Sequence, residues 1–263
     1  MARILVTNDD GVNAPGIAAL AHAVVALRHD VLVVAPLEDR SGSGGAIGPI
    51  HLADRIDFQP AEIAGIETVP TFGIDGPPGL CVLTACIGAF GPVPDLVVSG
   101  INAGTNTGHA VLHSGTVGAG LAANVFGLPA VAVSLDVGEP MKWETAAAFG
   151  ARAALWALDW AIPTTLNVNV PDLVWHDVLG VQAARLAPFG TVRAAFEARE
   201  DHLQIEFRDT DRRLDDDTDI ALVRRGYVAV TELLGVVPAH GRGTAAAAAT
   251  LNRTVGRDLA TAS

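Results

Sequence analysis

Asp9 and Asp10 stand side by side in TNDDGVNAPG (residues 7–16), after an apolar run and before a glycine. Adjacent carboxylates repel each other. A chain that keeps them together uses them to cap or turn the backbone, or gives them a shared counter-charge. Two more polar stretches follow apolar runs. EDRSGSGG (38–45) carries the hydroxyls of Ser41 and Ser43, and SGINAGTNTGHAVLHSGT (99–116) carries the amides of Asn102 and Asn106. Carboxylate, amide and hydroxyl oxygens, with no histidine or thiolate required, are the donor set of a hard cation: magnesium, manganese or calcium in preference to zinc. A divalent ion between Asp9 and Asp10 turns their repulsion into coordination. The stretch HSGT (113–116) precedes a helix-like pattern. Ser114, Gly115 and Thr116 there offer hydroxyls and free amides to an anion at a helix N-terminus, or Ser114 is an ordinary cap. A phosphate held at that point, beside a cation on Asp9 and Asp10, is poised for hydrolysis.

These residues need a scaffold that brings three loops together. RILVT (3–7), VLVVAP (31–36), DLVVSG (95–100), AVAVSL (130–135) and TLNVNV (165–170) are short, nearly continuous apolar runs that read as buried strands. Between them lie helix-like stretches. GIAALAHAVVALR (16–28) has Pro15 at its start, SGTVGAGLAANVFG (114–127) has Ser114 as N-cap and Gly127 as stop, and WETAAAFGARAALWALDWA (143–161) is long. Continuous strands alternating with helices predict an α/β fold, a mostly parallel sheet covered on both faces. In such sheets ligands bind beyond the carboxyl ends of the strands, where the three polar loops fall. Phe149, Ala153, Trp156 and Trp160 repeat at helical spacing and predict a core stripe. Beyond about residue 172 the pattern changes. LQIEF (203–207) and YVAVTEL (227–233) read as hairpins outside the core, and the Ala-rich tail from Pro238 as a short helix or a disordered end.

Composition narrows the function. The 263 residues are 50% hydrophobic, ample for one large domain or a domain with a small appendage. A net charge of −12, from 17 basic and 29 acidic residues, argues against a protein that grips polymeric nucleic acid. It leaves room for a small phosphorylated ligand, because one metal ion reverses the local field. Cys81 and Cys86, five apart in an apolar stretch, are expected as buried free thiols. There is no signal-peptide pattern and no 18-residue apolar run, so a soluble cytoplasmic protein without membrane contact is expected.

The stretches ILVTNDDGVNAPGI (4–17), VVAPLEDRSGSG (33–44), PDLVVSGINAGTNTG (94–108), HSGTVGAGLAA (113–123), LPAVAVSL (128–135), LNVNVP (166–171) and TDIALVRRGYVAVTEL (218–233) together resemble the SurE family of survival proteins. The resemblance runs in the family's order over roughly residues 3 to 233. It implies a metal-dependent phosphatase of nucleoside 5′- or 3′-monophosphates, with one Mg²⁺ or Mn²⁺ per subunit held by Asp9, Asp10, Ser41 and Asn102. It also implies a Rossmann-like three-layer core over 1–172. Residues 173–263 form a hairpin extension and tail within the same domain, exchanged between subunits of a homodimer or homotetramer. Ser114, Gly115 and Thr116 would hold the phosphate, and Asp9 or Asp10 would serve as general acid or base. The chain departs from the family pattern at GPPGLC (76–81), where Leu80 stands at a usually acidic position, and at GGAIG (44–48), usually richer in hydroxyls and amides. Both departures bear on substrate fit or subunit contacts, and neither removes an expected ligand. Two other readings are a phosphatase for another small phosphate ester and a ligand-binding homologue without turnover.

Other motifs carry less. An aspartyl-nucleophile phosphatase needs D-x-D, and Gly11 stands two residues after Asp9. His109 and His113 are four apart among glycines, which spoils the regular helix a zinc pair needs. Gly42, Gly44, Gly45 and Gly48 lack the G-K-[ST] of a P-loop. DDDTD (215–219) is expected to be a solvated turn, and Arg224 and Arg225 surface residues.

Overall fold

Ile4 and Val6 pack into one apolar cluster and Leu5 into another, because side chains along a strand alternate between faces. That alternation divides the molecule into layers. The computed structural model describes residues 1–52, 54–188, 192–209, 214–237 and 242–252. The strands are β1 (Arg3–Thr7), β2 (Asp30–Pro36), β3 (Phe58–Pro60), β4 (Thr71–Ile74), β5 (Leu96–Ala103), β6 (Ala130–Leu135), β7 (Thr165–Val170), β8 (Val181–Ala183), β9 (Val192–Ala198), β10 (Leu203–Asp209) and β11 (Val228–Leu233). The helices are α1 (Pro15–Val25), α2 (Pro78–Cys86), α3 (Gly115–Val125), α4 (Trp143–Trp160), α5 (Asp219–Arg224) and α6 (Arg242–Asn252).

Nine strands form one sheet in the order β3-β4-β2-β1-β5-β6-β7-β11-β8. The run from β4 to β7 is parallel, and β3 and β11 join it antiparallel. α1 and α4 cover one face, with Ile17, Leu20, Val24, Ala146, Ala154 and Ala157 in the core. α2 and α3 cover the other, with Leu80, Cys81, Val82, Ala85, Ala119 and Ala123. This is the expected Rossmann-like three-layer α/β fold. From β1 the chain moves outward to β2 and β4, then returns to β5 on the other side of β1. That reversal opens a crevice beyond the carboxyl ends of β1 and β5.

Most expected elements fall where the apolar runs place them, and β6 and β7 match residue for residue. Ser114 caps α3, its hydroxyl accepting from the Val117 amide at 3.1 Å, and Gly127 follows the helix with φ 75°. Both cysteines are buried and unpaired. Two expectations are corrected. Trp156 and Trp160 are 41% and 47% exposed and stack on each other instead of lining the core. The face of α4 that meets the sheet is made of Ala146, Ala147, Gly150, Ala151, Ala154 and Ala157, small residues that let the helix lie close. YVAVTEL is no outer hairpin either: β11 adds to the central sheet between β7 and β8. β9 and β10 do form a separate antiparallel hairpin. The tail contributes α6, and residues 253–263 lie outside the described ones. Among the described residues no helix is long and apolar enough to cross a membrane.

The crevice depends on one close approach. A Cβ at Gly16, in the first turn of α1, would overlap the Ile101 carbonyl oxygen and lie 3.1 Å from the Trp143 ring. Ile101 precedes Asn102 in a buried strand that has no room to retreat. Gly16→Ala is therefore expected to lower stability by about 1–3 kcal/mol, read as a fall in urea midpoint at constant m-value. An unchanged midpoint would show that the helix shifts freely.

Candidate functional site

Asp9 and Asp10 follow β1 directly, so the strand end fixes their backbone while the turn aims their side chains. Asp9 is 3% exposed and Asp10 only half-buried. The hydroxyl of Thr116, in the first turn of α3, donates to Asp9 Oδ1 and lies 3.3 Å from Asn102 Oδ1. Three elements thus meet at one hydroxyl: the end of β1, the end of β5 and the start of α3. Asn102 is aimed by an irregularity in β5, where the pairing with β6 shifts register between Ser99 and Asn102. Its Nδ2 donates to the Gly104 carbonyl at 2.6 Å, which turns Oδ1 toward Thr116.

Gly115 completes the corner by having no side chain. A Cβ there would sit 2.7 Å from Asp9 Oδ2 and 2.8 Å from Ser43 Oγ. The hydroxyl of the 38–45 loop beside Asp9 is therefore that of Ser43, buried and without a hydrogen-bond partner. Ser41 is exposed, and its hydroxyl and amide both donate to Asp39 Oδ1, at 2.6 and 2.7 Å. Asn106 is taken up in structure. Its amide donates to Asn169 Oδ1, its Nδ2 to Ser134 Oγ, and its carbonyl accepts from Asn167 and Asn169. His109 and His113 are exposed, on a short 3-10 turn. DDDTD is only partly a solvated turn. Asp215 and Asp217 grip Arg185, while Asp219 is fully buried and accepts from the amides of Gly108, Ala187 and Ile220.

The electrostatics of the corner are one-sided. Burial raises the pKa of Asp9 above the usual carboxylate range, against the lowering effect of its bonds from Thr116. Burial, then the negative charges of Asp9 and Asp39, push Asp10 up to about 7. Asp39 adds to this field from the loop after β2, the same place in the chain that marks Ser41 and Ser43. Among the described residues no group of three or more His, Cys, Asp or Glu forms a metal cluster, so amide and hydroxyl oxygens have to complete any ligand set. The residues fit a hard cation on two observations. The donors are all oxygen, and the buried hydroxyl of Ser43, beside Asp9, has no hydrogen-bond partner among the described residues.

A Rossmann-like sheet with an oxygen-rich corner at its switch point, beside a helix N-terminus, defines an α/β protein with its polar side chains gathered at the carboxyl edge of the sheet. The family model described as Survival protein SurE matches residues 4–193. A 5′-nucleotidase SurE of Alkalilimnicola ehrlichii is 39% identical over an alignment of 251 positions that covers 89% of each chain. One from Xanthomonas campestris pv. campestris is 46% identical over 191 residues, 70% of this chain and 69% of its own. The crystal structure of the SurE protein from Aquifex aeolicus superposes with a TM-score of 0.77 at 28% identity, covering 95% of this chain and 99% of that one. The chain belongs to the SurE family.

The raised pKa of Asp10 has a consequence for stability. A carboxyl whose folded-state value lies near 7, above its unfolded value of 3.8, holds its proton more tightly when folded. Its contribution is fully present below pH 3.8 and is lost as pH rises through about 7. Chelator-treated protein is expected to show a falling urea midpoint over that window, and Asp10→Asn to make the fall shallower, leaving the part that Asp9 contributes. A slope of the same size in the variant would locate the titrating group elsewhere.

Proposed function

We propose that this chain is a divalent-metal-dependent phosphomonoesterase that hydrolyses nucleoside 5′- or 3′-monophosphates to nucleoside and phosphate. The observation that carries the reading is the meeting of Asp9, Asn102 and Ser43 around Thr116 and Gly115, at the N-terminus of α3. The names of the relatives, 5′-nucleotidase SurE, support the same chemistry. In this reading Asp9, Asp10, Ser41 and Asn102 hold one Mg²⁺ or Mn²⁺ per subunit. When bound, the ion polarises the phosphoryl oxygens and makes the attacking water more acidic. Ser114, Gly115 and Thr116 cradle the phosphate, with the first-turn amides of α3 as donors. Asp9 or Asp10 takes the proton of the water as the new P–O bond forms. The ester P–O bond breaks, and the leaving alkoxide takes up a proton. Asp10, the less buried of the two, is the better placed to exchange that proton with solvent.

Residues 1–172 form the catalytic core and 173–263 an extension of the same domain. The protein acts in the cytoplasm, without polymeric nucleic acid or membrane as partner. It assembles as a homodimer or homotetramer through residues beyond about 181, where Leu203 and Ile205 are exposed on the hairpin. Light scattering at micromolar concentration tests the assembly, and a monomer would refute it.

Activity on a panel of phosphomonoesters is expected to vanish with EDTA and to return with Mg²⁺ or Mn²⁺. Full activity in metal-free protein would overturn the reading. Asp9→Asn and Asp10→Asn are each expected to lower kcat on the order of 100-fold with the fold intact, since each supplies several kcal/mol of charge stabilisation. Mn²⁺ titrations separate the two serines. Ser41→Ala is expected to weaken binding more than Ser43→Ala, and the reverse order would assign the hydroxyl ligand to Ser43.

A further inference from the structure

α4 lies over β5, β6 and β7, while β11 and β8 extend the sheet past it. On the opposite face α5 covers β11, with Leu222 and Val223 against Ala229. On the α4 face the strands present Leu166 and Val168 of β7, Val228 and Val230 of β11, and Val181 of β8, the alternate residues that strand geometry directs there. With the flank of α4 these side chains enclose a slot of about 410 Å³. Its size falls within the roughly 300–1,000 Å³ of small-molecule sites. The helix wall carries Phe149, Trp156 and Arg152, and no residue of the acidic corner takes part.

Arg152 is the one charged residue of this lining. It donates an N–H to the Ala148 carbonyl at 3.0 Å, and its guanidinium lies over the Trp175 ring, 4.6 Å from the ring centre. Trp175 in turn stacks on Phe149, with centroids 4.7 Å apart. The stack orients the guanidinium without neutralising it, and among the described residues no carboxylate pairs with it. A guanidinium with donors to spare makes its strongest bonds to an anionic oxygen pair. One positive charge balances a monoanion and leaves a phosphate dianion half compensated.

The apolar floor sets the rest of the occupant. It crosses three neighbouring strands, a span of about 10 Å at roughly 4.8 Å per strand. That is the reach of an extended alkyl chain and more than a single ring fills. We propose that the slot is a binding site for a medium-chain carboxylate, its chain laid on the valine floor and its head group on Arg152. The site is independent of the acidic corner and of the reaction carried out there.

Sodium decanoate, titrated by calorimetry into the full chain, is expected to bind one equivalent per subunit. Octanoate is expected to bind about fifteenfold more weakly, at about fourfold per methylene taken out of water. Decan-1-ol, which keeps the chain and lacks the charge, is expected to bind at least tenfold more weakly than decanoate. These three comparisons need no variant. Arg152→Gln is expected to bring decanoate down to the affinity of the alcohol. Val181→Trp fills the slot from an edge strand, at a position 53% exposed, and is expected to weaken both ligands at least tenfold. No binding to the wild type, equal affinity for acid and alcohol, or binding that Val181→Trp leaves unchanged would each overturn the proposal. An oligomer that Val181→Trp dissociates in light scattering, with no decanoate bound to the wild type, would assign the slot to contact between copies of the chain and overturn it as well.

Discussion

Burial of one carboxylate directly beside another, without a cationic side chain to balance them, is the condition the rest of this molecule is arranged around. The shifts of Asp9 and Asp10 both come from burial and from neighbouring negative charge, and among the described residues no Lys, Arg or His contributes to either. A cation is close at hand. The backbone of Arg40 is bonded to Asp9, yet its guanidinium turns away to Asp75. An Arg guanidinium at Asp9 would neutralise the buried carboxylate, at the cost of desolvating a second charge. It would also fill the side of the carboxylate that the proposed metal ion needs. The chain leaves the charge uncompensated and holds the carboxylate with the Thr116 hydroxyl, a donor that orients an oxygen without cancelling its charge.

That arrangement is tolerable because the surrounding frame is stiff. The β1–β5 crevice is walled by a parallel sheet whose central strands are buried on both faces. The loop between β5 and α3 is tied down at several points. The backbone and side chain of Asn106 are held by Ser134, Asn167 and Asn169, which project from the ends of β6 and β7. On the opposite flank, the Gly44 amide donates to the His113 carbonyl at 3.1 Å and pins the Ser43 loop against the start of α3. Each bond is worth about a kilocalorie per mole in net terms. Their joint effect is to remove the freedom by which two repelling carboxylates would move apart.

What the amino-acid pattern discloses about this molecule follows from which forces are local. β6 and β7 are apolar runs bounded by turns, and a fully buried parallel strand has little other way to be written. The corner is legible too, because adjacent aspartates after a strand conflict with simple solvation. The choice between Ser41 and Ser43 is not legible. The two stand in one glycine-rich loop, and contacts with α3 and with Asp39 decide which way each points. The stripe of Phe149, Ala153, Trp156 and Trp160 is half right: Phe149 and Ala153 pack against the core, while Trp156 and Trp160 stay outside because the sheet accepts the alanine face that packs closest. β11 misleads because period-two alternation identifies a strand and leaves its partner open; its neighbours are set by tertiary pairing with β7 and β8.

The same distinction explains Asp219, hidden in an acidic run that reads as surface. Its carboxylate is fully buried and collects three amides: Gly108 at 2.6 Å, Ile220 at 2.9 Å and Ala187 at 3.1 Å. Gly108 lies on the loop that runs from Asn102 to Ser114, while Ala187 and Ile220 belong to the segment beyond β8. A single side chain therefore fastens the C-terminal part of the chain to the loop that separates the β5 and α3 contributions to the corner. A buried carboxylate satisfied by backbone amides is expensive to expose, since all three donors lose their partner together. β11 reinforces the link by extending the sheet at β7, whose Asn167 and Asn169 hold Asn106. The C-terminal segment is thus mechanically part of the corner, so whatever that segment packs against bears on the geometry with which Asn102 and Thr116 meet Asp9.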